Sequence, residues 1–298
     1  MKRWIAALLL NLLQLFTMSA LGSGNALPFD RNHDGNIYLL RGLTRESGHW
    51  GQEFLDELQQ AYPHACIHLL DLPGSGRHYQ VQCPVSVGAM VEFMRAEVAA
   101  DIEAGKGTNL VMATSLGSMV VTEWAIRYPD DFQAMVLISP SFKGTCKMNE
   151  RMRPGIWKEV LQVPMSLSLE KKEARLLRIN SNDTANFQQT LRQWIAIQQA
   201  HPMTTSNILR QTLAGMLYKP SGTMPTMPVL ILASRSDRLL DCDCVEKVHT
   251  MLGGVLVWNE TSGHGLPIDA PEWLVEQVAG WSDGYFNMDG LYPIYSMK

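Results

Sequence analysis

Asn109-Leu110-Val111-Met112-Ala113-Thr114-Ser115-Leu116-Gly117 is the stretch that decides how this chain is read. Its first five residues form an apolar run of strand length, and Ser118 to Tyr128 continues with helical spacing. Ser115 is thereby set in a tight turn, directly after a strand and directly before a helix. The small neighbours matter physically. A sharp strand-to-helix turn strains the backbone and leaves no room for bulk, while it lifts the serine hydroxyl above the sheet edge. Ala113 stands where the first glycine of such a turn is usual, and it is still small. The amide of Leu116 lies at a helix N-terminus and points where a developing oxyanion would sit. The other reading of Ser115 is a helix N-cap, a common use of serine at this place.

A serine hydroxyl is a weak nucleophile without a base, so the turn calls for a later acid and then a histidine. Asp237 lies in Ser234-Arg235-Ser236-Asp237-Arg238, just past the strand-like run Val229 to Ala233. His264 lies in Thr261-Ser262-Gly263-His264-Gly265, just past Val255 to Trp258. Both are expected on loops at the same sheet edge as Ser115. Asp241 and Asp243 are rival acids, placed where the next helix starts. As structural residues, Asp237 would be a surface-turn acid and His264 a loop histidine beside glycines.

Working outward, strand-like and helix-like stretches alternate. Ile37 to Leu40, Cys66 to Leu70, Asn109 to Ala113, Ala134 to Ile138, Pro228 to Ala233 and Gly254 to Trp258 read as strands. Gln52 to Tyr62, Val87 to Ala104 and Ser118 to Tyr128 read as helices, and Asp71-Leu72-Pro73-Gly74-Ser75-Gly76 is a turn-forming cluster. The alternation predicts an α/β fold, a parallel sheet covered on both faces. It breaks between Ser139 and Pro228, where only helical patterns occur, around Ile156 to Leu161, Leu169 to Arg178, Thr184 to Gln199 and Ser206 to Leu217. Such an insert falls over the carboxyl ends of the strands, where open α/β sheets bind ligands. It reads as a helical cap, or else as a packing layer without substrate contact. The division that follows is a core at 36–139 and 228–281, a cap at 140–227 and an aromatic tail at 282–298.

The N-terminal residues 1–26 have the layout of a signal peptide. Met1-Lys2-Arg3 is basic, Trp4 to Phe16 is apolar, and Ala20-x-Gly22 or Gly24-x-Ala26 would be the cleavage site. The run is too short to span a bilayer comfortably. Either the segment is real and the protein is periplasmic or secreted, or translation starts at Met18 and the protein is cytoplasmic. Five scattered cysteines, Cys66, Cys83, Cys146, Cys242 and Cys244, are odd in number and describe no disulfide framework, which leans toward a reducing compartment.

Of the 298 residues, 46% are hydrophobic and 18% charged, and 25 Lys+Arg against 29 Asp+Glu leave a formal charge of −4. That composition excludes a disordered or collagen-like chain and supports a sizeable core. Without a block of basic residues, nucleic-acid binding by counterion release is not expected.

On the Ser115, Asp237 and His264 loops the chain resembles the α/β-hydrolase family, over roughly Asn36 to Trp281. Arg41-Gly42-Leu43-Thr44-Arg45-Glu46, followed by His49-Trp50, looks like a subgroup of bacterial lidded serine hydrolases within it. Asp71-Leu72-Pro73-Gly74-Ser75-Gly76 matches the turn of lidded members, and Asp269-x-Pro271-x-Trp273 with the closing helix matches as well. The family has a His-Gly pair where this chain has Arg41-Gly42. The resemblance implies an α/β-hydrolase fold, Leu43 as a second oxyanion-hole amide beside Leu116, and a Ser115–His264–Asp237 triad acting through an acyl-enzyme on a small ester or acyl substrate. It calls for no cofactor and no metal. Carbon–carbon bond hydrolysis and acyl transfer would use the same triad, and an idle binding protein on this fold is the alternative from another class.

Arg41 either pairs inward with an acid or faces an anionic substrate group. Trp50 and Trp194 are candidate pocket residues that would equally serve as core and cap packing. Asp30-x-Asn32-x-Asp34-Gly35 imitates the start of a calcium loop, but Arg41 stands at its twelfth position, so it reads as a polar turn. Cys242-Asp243-Cys244 lacks the partners of a metal site and reads as a pair of solvated or half-buried thiols.

Overall fold

The apolar runs form one six-stranded sheet: Asn36–Leu40 (β1), Cys66–Leu70 (β2), Asn109–Thr114 (β3), Ala134–Ile138 (β4), Val229–Ser234 (β5) and Val255–Asn259 (β6). The computed structural model describes residues 31–32, 35–105, 108–163 and 165–284. The signal-like segment, part of the Asp30 to Gly35 turn and the aromatic tail from 285 onward lie outside the described residues. All strand pairs are parallel, in the order β2-β1-β3-β4-β5-β6. Parallel pairing needs crossovers, and helices Gln52–Ala61 (α1), Val87–Ala104 (α2), Leu116–Arg127 (α3) and Cys242–Leu252 (α9) lie in them, while Pro271–Ser282 (α11) follows the last strand.

Period-two alternation divides the interior into two layers. Tyr38, Leu40, Val111, Ala113, Met135, Leu137, Ile231 and Ala233 face α2, α3 and α9. Ile37, Leu39, Leu110, Met112, Val136, Ile138, Leu230 and Leu232 face α1 and α11. Strands β3, β4 and β5 are buried along their whole length, which is why their sequences run apolar without alternation.

Between β4 and β5 the chain is helical, with Met148–Arg151 (α4), Trp157–Gln162 (α5), Leu169–Asn180 (α6), Phe187–Ala200 (α7) and Thr205–Leu217 (α8). Each of the four expected helices is present within a few residues of its expected bounds. Ser168 and Thr204 cap α6 and α8 by accepting from Lys171 N and Asn207 N. Ala174 and Leu177 of α6 and Leu191 and Trp194 of α7 form a small separate core. The short helix Leu266–Asp269 (α10) follows β6, and its Ile268 packs on that core.

The cysteine reading is corrected here. Cys146, at the start of the insert, is bonded to Cys244 in α9, across 98 residues of sequence. Cys66, Cys83 and Cys242 are free. The Cys242-Asp243-Cys244 pair divides because residues two apart point to different sides of a helix. Cys244 turns inward and is fully buried, while Cys242 is half-buried. A long-range bridge also removes the argument for a reducing compartment, since such bonds persist under oxidising conditions.

Closing a loop of this length is expected to contribute about 2–5 kcal/mol. Reductant, or Cys146→Ser, should therefore lower the Tm by several degrees in differential scanning fluorimetry. An unchanged Tm, with five titratable thiols in the untreated protein, would show that the bridge does not form.

Candidate active site

The sheet register brings the sequence-expected residues to one edge. Leu40 pairs with both Leu70 and Ala113, Thr114 with Ile138, and Ser234 with Asn259, so the loops after β1, β2, β3, β5 and β6 all leave from the same end. The strand order reverses direction between β1 and β3, the crevice where open α/β sheets place ligands.

Ser115 stands at that crevice with φ 51° and ψ −114°, a conformation that L-residues rarely adopt. The turn is held by Ser115 N donating to Ile138 O at 2.9 Å and by Ser118 Oγ donating to Ala113 O at 2.9 Å. Its side chain makes no helix-capping hydrogen bond, so the N-cap reading of Ser115 does not apply. A Cβ on Gly117 would meet the carbonyl oxygens of Leu40 and Arg41 at 2.8 Å, which is why a glycine stands two residues after Ser115. A Cβ on Gly42 would stand 2.9 Å from Ser115 Cβ, 3.0 Å from Thr114 O and 3.4 Å from Leu116 N. The Arg41-Gly42-Leu43 loop thus lies directly against the turn. Leu116 N is the first amide of α3, so it has no acceptor within its helix.

Asp237 and His264 meet. Asp237 Oδ2 lies 2.7 Å from His264 Nδ1, and both side chains are buried. The carboxylate only accepts, so Nδ1 carries the proton and Nε2 is left as the acceptor. Nε2 is buried and has no hydrogen-bond partner among the described residues, Ser115 Oγ included. Asp237 Oδ1 accepts from Leu239 N and Leu240 N at 2.8 and 2.9 Å, which fixes the carboxylate plane. The rival acids are engaged otherwise. Asp241 caps α9 through Asp243 N, and Asp243 is an exposed first-turn residue of that helix.

Several side chains that sequence reasoning did not single out shape these loops. Ser234 Oγ donates to Ser262 O, joining the Asp237 loop to the His264 loop. Asp269 Oδ2 accepts from Gly263 N at 2.6 Å and from Asn182 N at 2.8 Å, so one carboxylate holds both the His264 loop and the end of α6. Asp71 Oδ1 accepts from Ser47 N and Ser47 Oγ at 2.7 and 2.6 Å, tying the loop after β1 to the turn after β2. Gln211 of α8, fully buried, accepts from Thr44 N at 3.2 Å and donates to Pro73 O at 3.3 Å. Asp71 stood out in the sequence only as part of a turn motif, and Asp269 only as part of the Asp269-x-Pro271-x-Trp273 resemblance. Nothing in the spacing of α8 marks Gln211 as inward-facing.

Trp50 is fully buried in the α1 layer, stacked on Phe54 with 4.9 Å between ring centroids. Trp194 belongs to the α6–α7 core, and the Arg45 guanidinium lies 4.2 Å from its ring centre. Arg41 is buried beside Trp50 and pairs with no acid among the described residues. Leu43 is partly exposed. A surface cavity of about 520 Å³, lined by Arg178, Ser181, Asn182, Asp183, Phe187 and Arg238 among others, touches none of Ser115, Asp237 and His264. Among the described residues no cluster of three His, Cys, Asp or Glu has a metal-binding arrangement.

His49, in the loop after β1, has both ring nitrogens facing donors. Glu46 N lies 3.1 Å from Nδ1 and Arg45 Nη1 2.9 Å from Nε2. A neutral ring accepts at one of them and a protonated ring at neither. Burial first, then Arg45 and Arg41, hold its pKa well below the usual histidine range.

Two outcomes are expected from this geometry. Gly42→Ala must displace the loop from Ser115 against backbone, and should lower stability by about 1–3 kcal/mol in urea melts while the circular-dichroism spectrum is kept. For His49 the folded form binds its proton later than the unfolded chain does, so stability is full above the ordinary pKa near ~6.5 and is lost below it, at up to about 1.4 kcal/mol per pH unit. The stability difference between wild type and His49→Gln, from urea melts, should be constant above that pH and shrink toward pH ~5. A difference independent of pH would mean that His49 is not held neutral.

A family model described as serine aminopeptidase, S33, matches residues 31–264. Pimeloyl-[acyl-carrier protein] methyl ester esterase of Salmonella heidelberg is 29% identical over 184 residues, 59% of this chain. The chain spans 65% of the length of that relative. Among solved structures, the esterase RhEst1 from a Rhodococcus species superposes with a TM-score of 0.66 at 16% identity, covering 84% of this chain and 92% of the other. The 2-hydroxy-6-oxo-6-phenylhexa-2,4-dienoate hydrolase of another Rhodococcus strain gives 0.63 at 15% identity, over 83% and 90%. With a parallel six-stranded sheet, a strained serine turn after its third strand and a family match over most of its length, the chain is a member of the α/β-hydrolase superfamily.

Proposed function

We propose that this hydrolase-family chain is a serine hydrolase of small carboxylic esters, working through Ser115, His264 and Asp237. The observation that carries the reading is the Asp237–His264 hydrogen bond of 2.7 Å at the same sheet edge as a strained, non-capping Ser115. Asp237 fixes the tautomer that leaves Nε2 free to accept the Ser115 proton. Ser115 attacks the ester carbonyl, and the amides of Leu43 and Leu116 hold the tetrahedral oxyanion. His264 then protonates the leaving alcohol, and water releases the acyl group by the same route in reverse. Reach between Nε2 and Oγ tightens when substrate is bound, as apo sites are commonly loose.

In this reading residues 140–227 are a cap that bounds the acyl or alcohol side of the substrate. Gly215 of α8 supports that role, since a Cβ there would meet Leu116 Cδ1 at 3.1 Å, so α8 lies over the serine turn. Of the candidate pocket residues this reading keeps Arg41, beside Gly42, whereas Trp50 packs in the α1 layer and Trp194 in the α6–α7 core. The match to a methyl ester esterase favours ester over peptide substrates, although the family model carries an aminopeptidase's description.

Purified protein should hydrolyse p-nitrophenyl acetate or butyrate and should be labelled at Ser115 by a fluorophosphonate probe. Ser115→Ala should lose at least about a thousandfold in kcat and all labelling. Absence of labelling in folded wild type would reject the activated nucleophile and leave a binding protein on this fold.

A further inference from the structure

Where the loop after β1 meets the insert, the interior holds an excess of positive charge and of hydrogen-bond donors. Arg41 is 5% exposed, its guanidinium carbon lies 5.1 Å from the centre of the Trp50 ring, and its Nε and Nη1 are buried without a hydrogen-bond partner among the described residues. Among these residues the charged neighbour that acts on it is Arg45, a like charge. Arg45 is as deeply buried. Its Nη1 pairs with Glu173 Oε2 at 2.8 Å, but its Nε and Nη2 have no partner among the described residues. There Trp50 Nε1 is one more buried donor without an acceptor. Against these donors stands, among the described residues, the orphan acceptor Glu173 Oε1. Glu46, the other acid of the loop, is taken by His201 at 2.8 Å, and His49 is held neutral. Arg41, Arg45 and Glu173 therefore leave one positive charge uncompensated.

Buried donors are rarely left without acceptors, and an unpaired buried cation is among the costliest groups a fold can hold. The arrangement makes physical sense if an anion completes it. A guanidinium presents a planar fork that matches a carboxylate, and the indole faces of Trp50 and Trp194 orient the two forks without neutralising them. The place is also suitable, because Arg41 immediately precedes Gly42, which packs on Ser115. We propose that Arg41, with Arg45 beside it, forms an anion subsite that takes a carboxylate carried by the substrate away from its scissile ester. This deepens the ester-hydrolase reading and rests on it. Burial, and after it the charge of Arg45, push the Arg41 guanidinium down to about 9, so it is charged at neutral pH and a bound carboxylate would relieve it.

The test compares kcat/KM for monomethyl succinate, adipate and suberate with that for methyl butyrate, hexanoate and octanoate. At least one acidic ester should be preferred over its neutral counterpart by about tenfold to a hundredfold, the size of a charge-assisted contact. Arg41→Gln should bring that ratio close to one. As an equilibrium readout, free adipate should raise the Tm of wild type more than 1,6-hexanediol does, and should not raise that of Arg41→Gln. Should Arg41→Gln fail to fold, the wild-type ratio and the wild-type Tm shift decide alone. Equal turnover of both ester series with no adipate-dependent shift overturns the subsite and leaves the ester hydrolase standing. No turnover and no fluorophosphonate labelling overturns the hydrolase, while an adipate shift lost in Arg41→Gln would still support the subsite.

Discussion

The close approach of the loop after β1 to the Ser115 turn is the constraint on which the rest of the sheet edge depends. Ser115 occupies a backbone conformation that costs about 1–3 kcal/mol for a residue with a side chain. That cost is sustained by the centre of a parallel sheet, through bonds to Ile138 O and Ala113 O that cannot shift without disturbing β3 and β4. The strained turn in turn admits only small neighbours. Gly117 is pressed on the carbonyls of Leu40 and Arg41, and Gly42 on the Ser115 side chain itself. Two glycines, one in the loop after β1 and one in the first turn of α3, thus let that loop pack directly against the serine turn.

The other loops are held by polar side chains, of which Asp71, Ser234 and Gln211 are buried and Asp269 half-buried. Each of the four binds backbone of a segment distant in sequence. Asp269 is the plainest case, with the His264 loop and the end of α6 on the same carboxylate. The insert is therefore mechanically joined to the sheet edge. A displacement of α6 or α8 would be felt at the His264 loop or at the Thr44 amide, not only in the volume above Ser115.

Arg45 and Glu173 tie the loop after β1 to α6 by a buried ion pair, at the same place where Arg41 has none. Buried pairs are weak contributors to stability, because desolvation offsets most of their attraction. Their value lies in direction, since a guanidinium fork and a carboxylate meet in one geometry. Here the pair orients one arginine and leaves the second unneutralised. That difference makes the region polar and positively charged inside a fold whose net charge is negative.

Much of this was legible in the sequence. The strands β3, β4 and β5 are continuous apolar runs because both their faces are buried, and the turn at Ala113 to Gly117 follows from the small residues around a serine at a strand end. The order Ser115, Asp237, His264, each just past a strand, placed all three at one edge before any coordinates. What periodicity could not supply were facts that depend on distance through space. Cys146 and Cys244 are separated by 98 residues and become neighbours only when the insert packs on α9. Glu173 and Gln211 sit on helices among other polar residues, and nothing local distinguishes an inward carboxylate or amide from a solvated one. Helix capping engages Asp241 and leaves Asp237 to His264, and Arg41 is isolated because no acid among the described residues pairs with it. Local sequence determined the elements, the serine turn and the strand ends, because these depend on nearest neighbours along the backbone. Pairing, burial of charge and the joining of the insert to the edge were decided by the tertiary structure, because they depend on which distant groups share the same low-dielectric space.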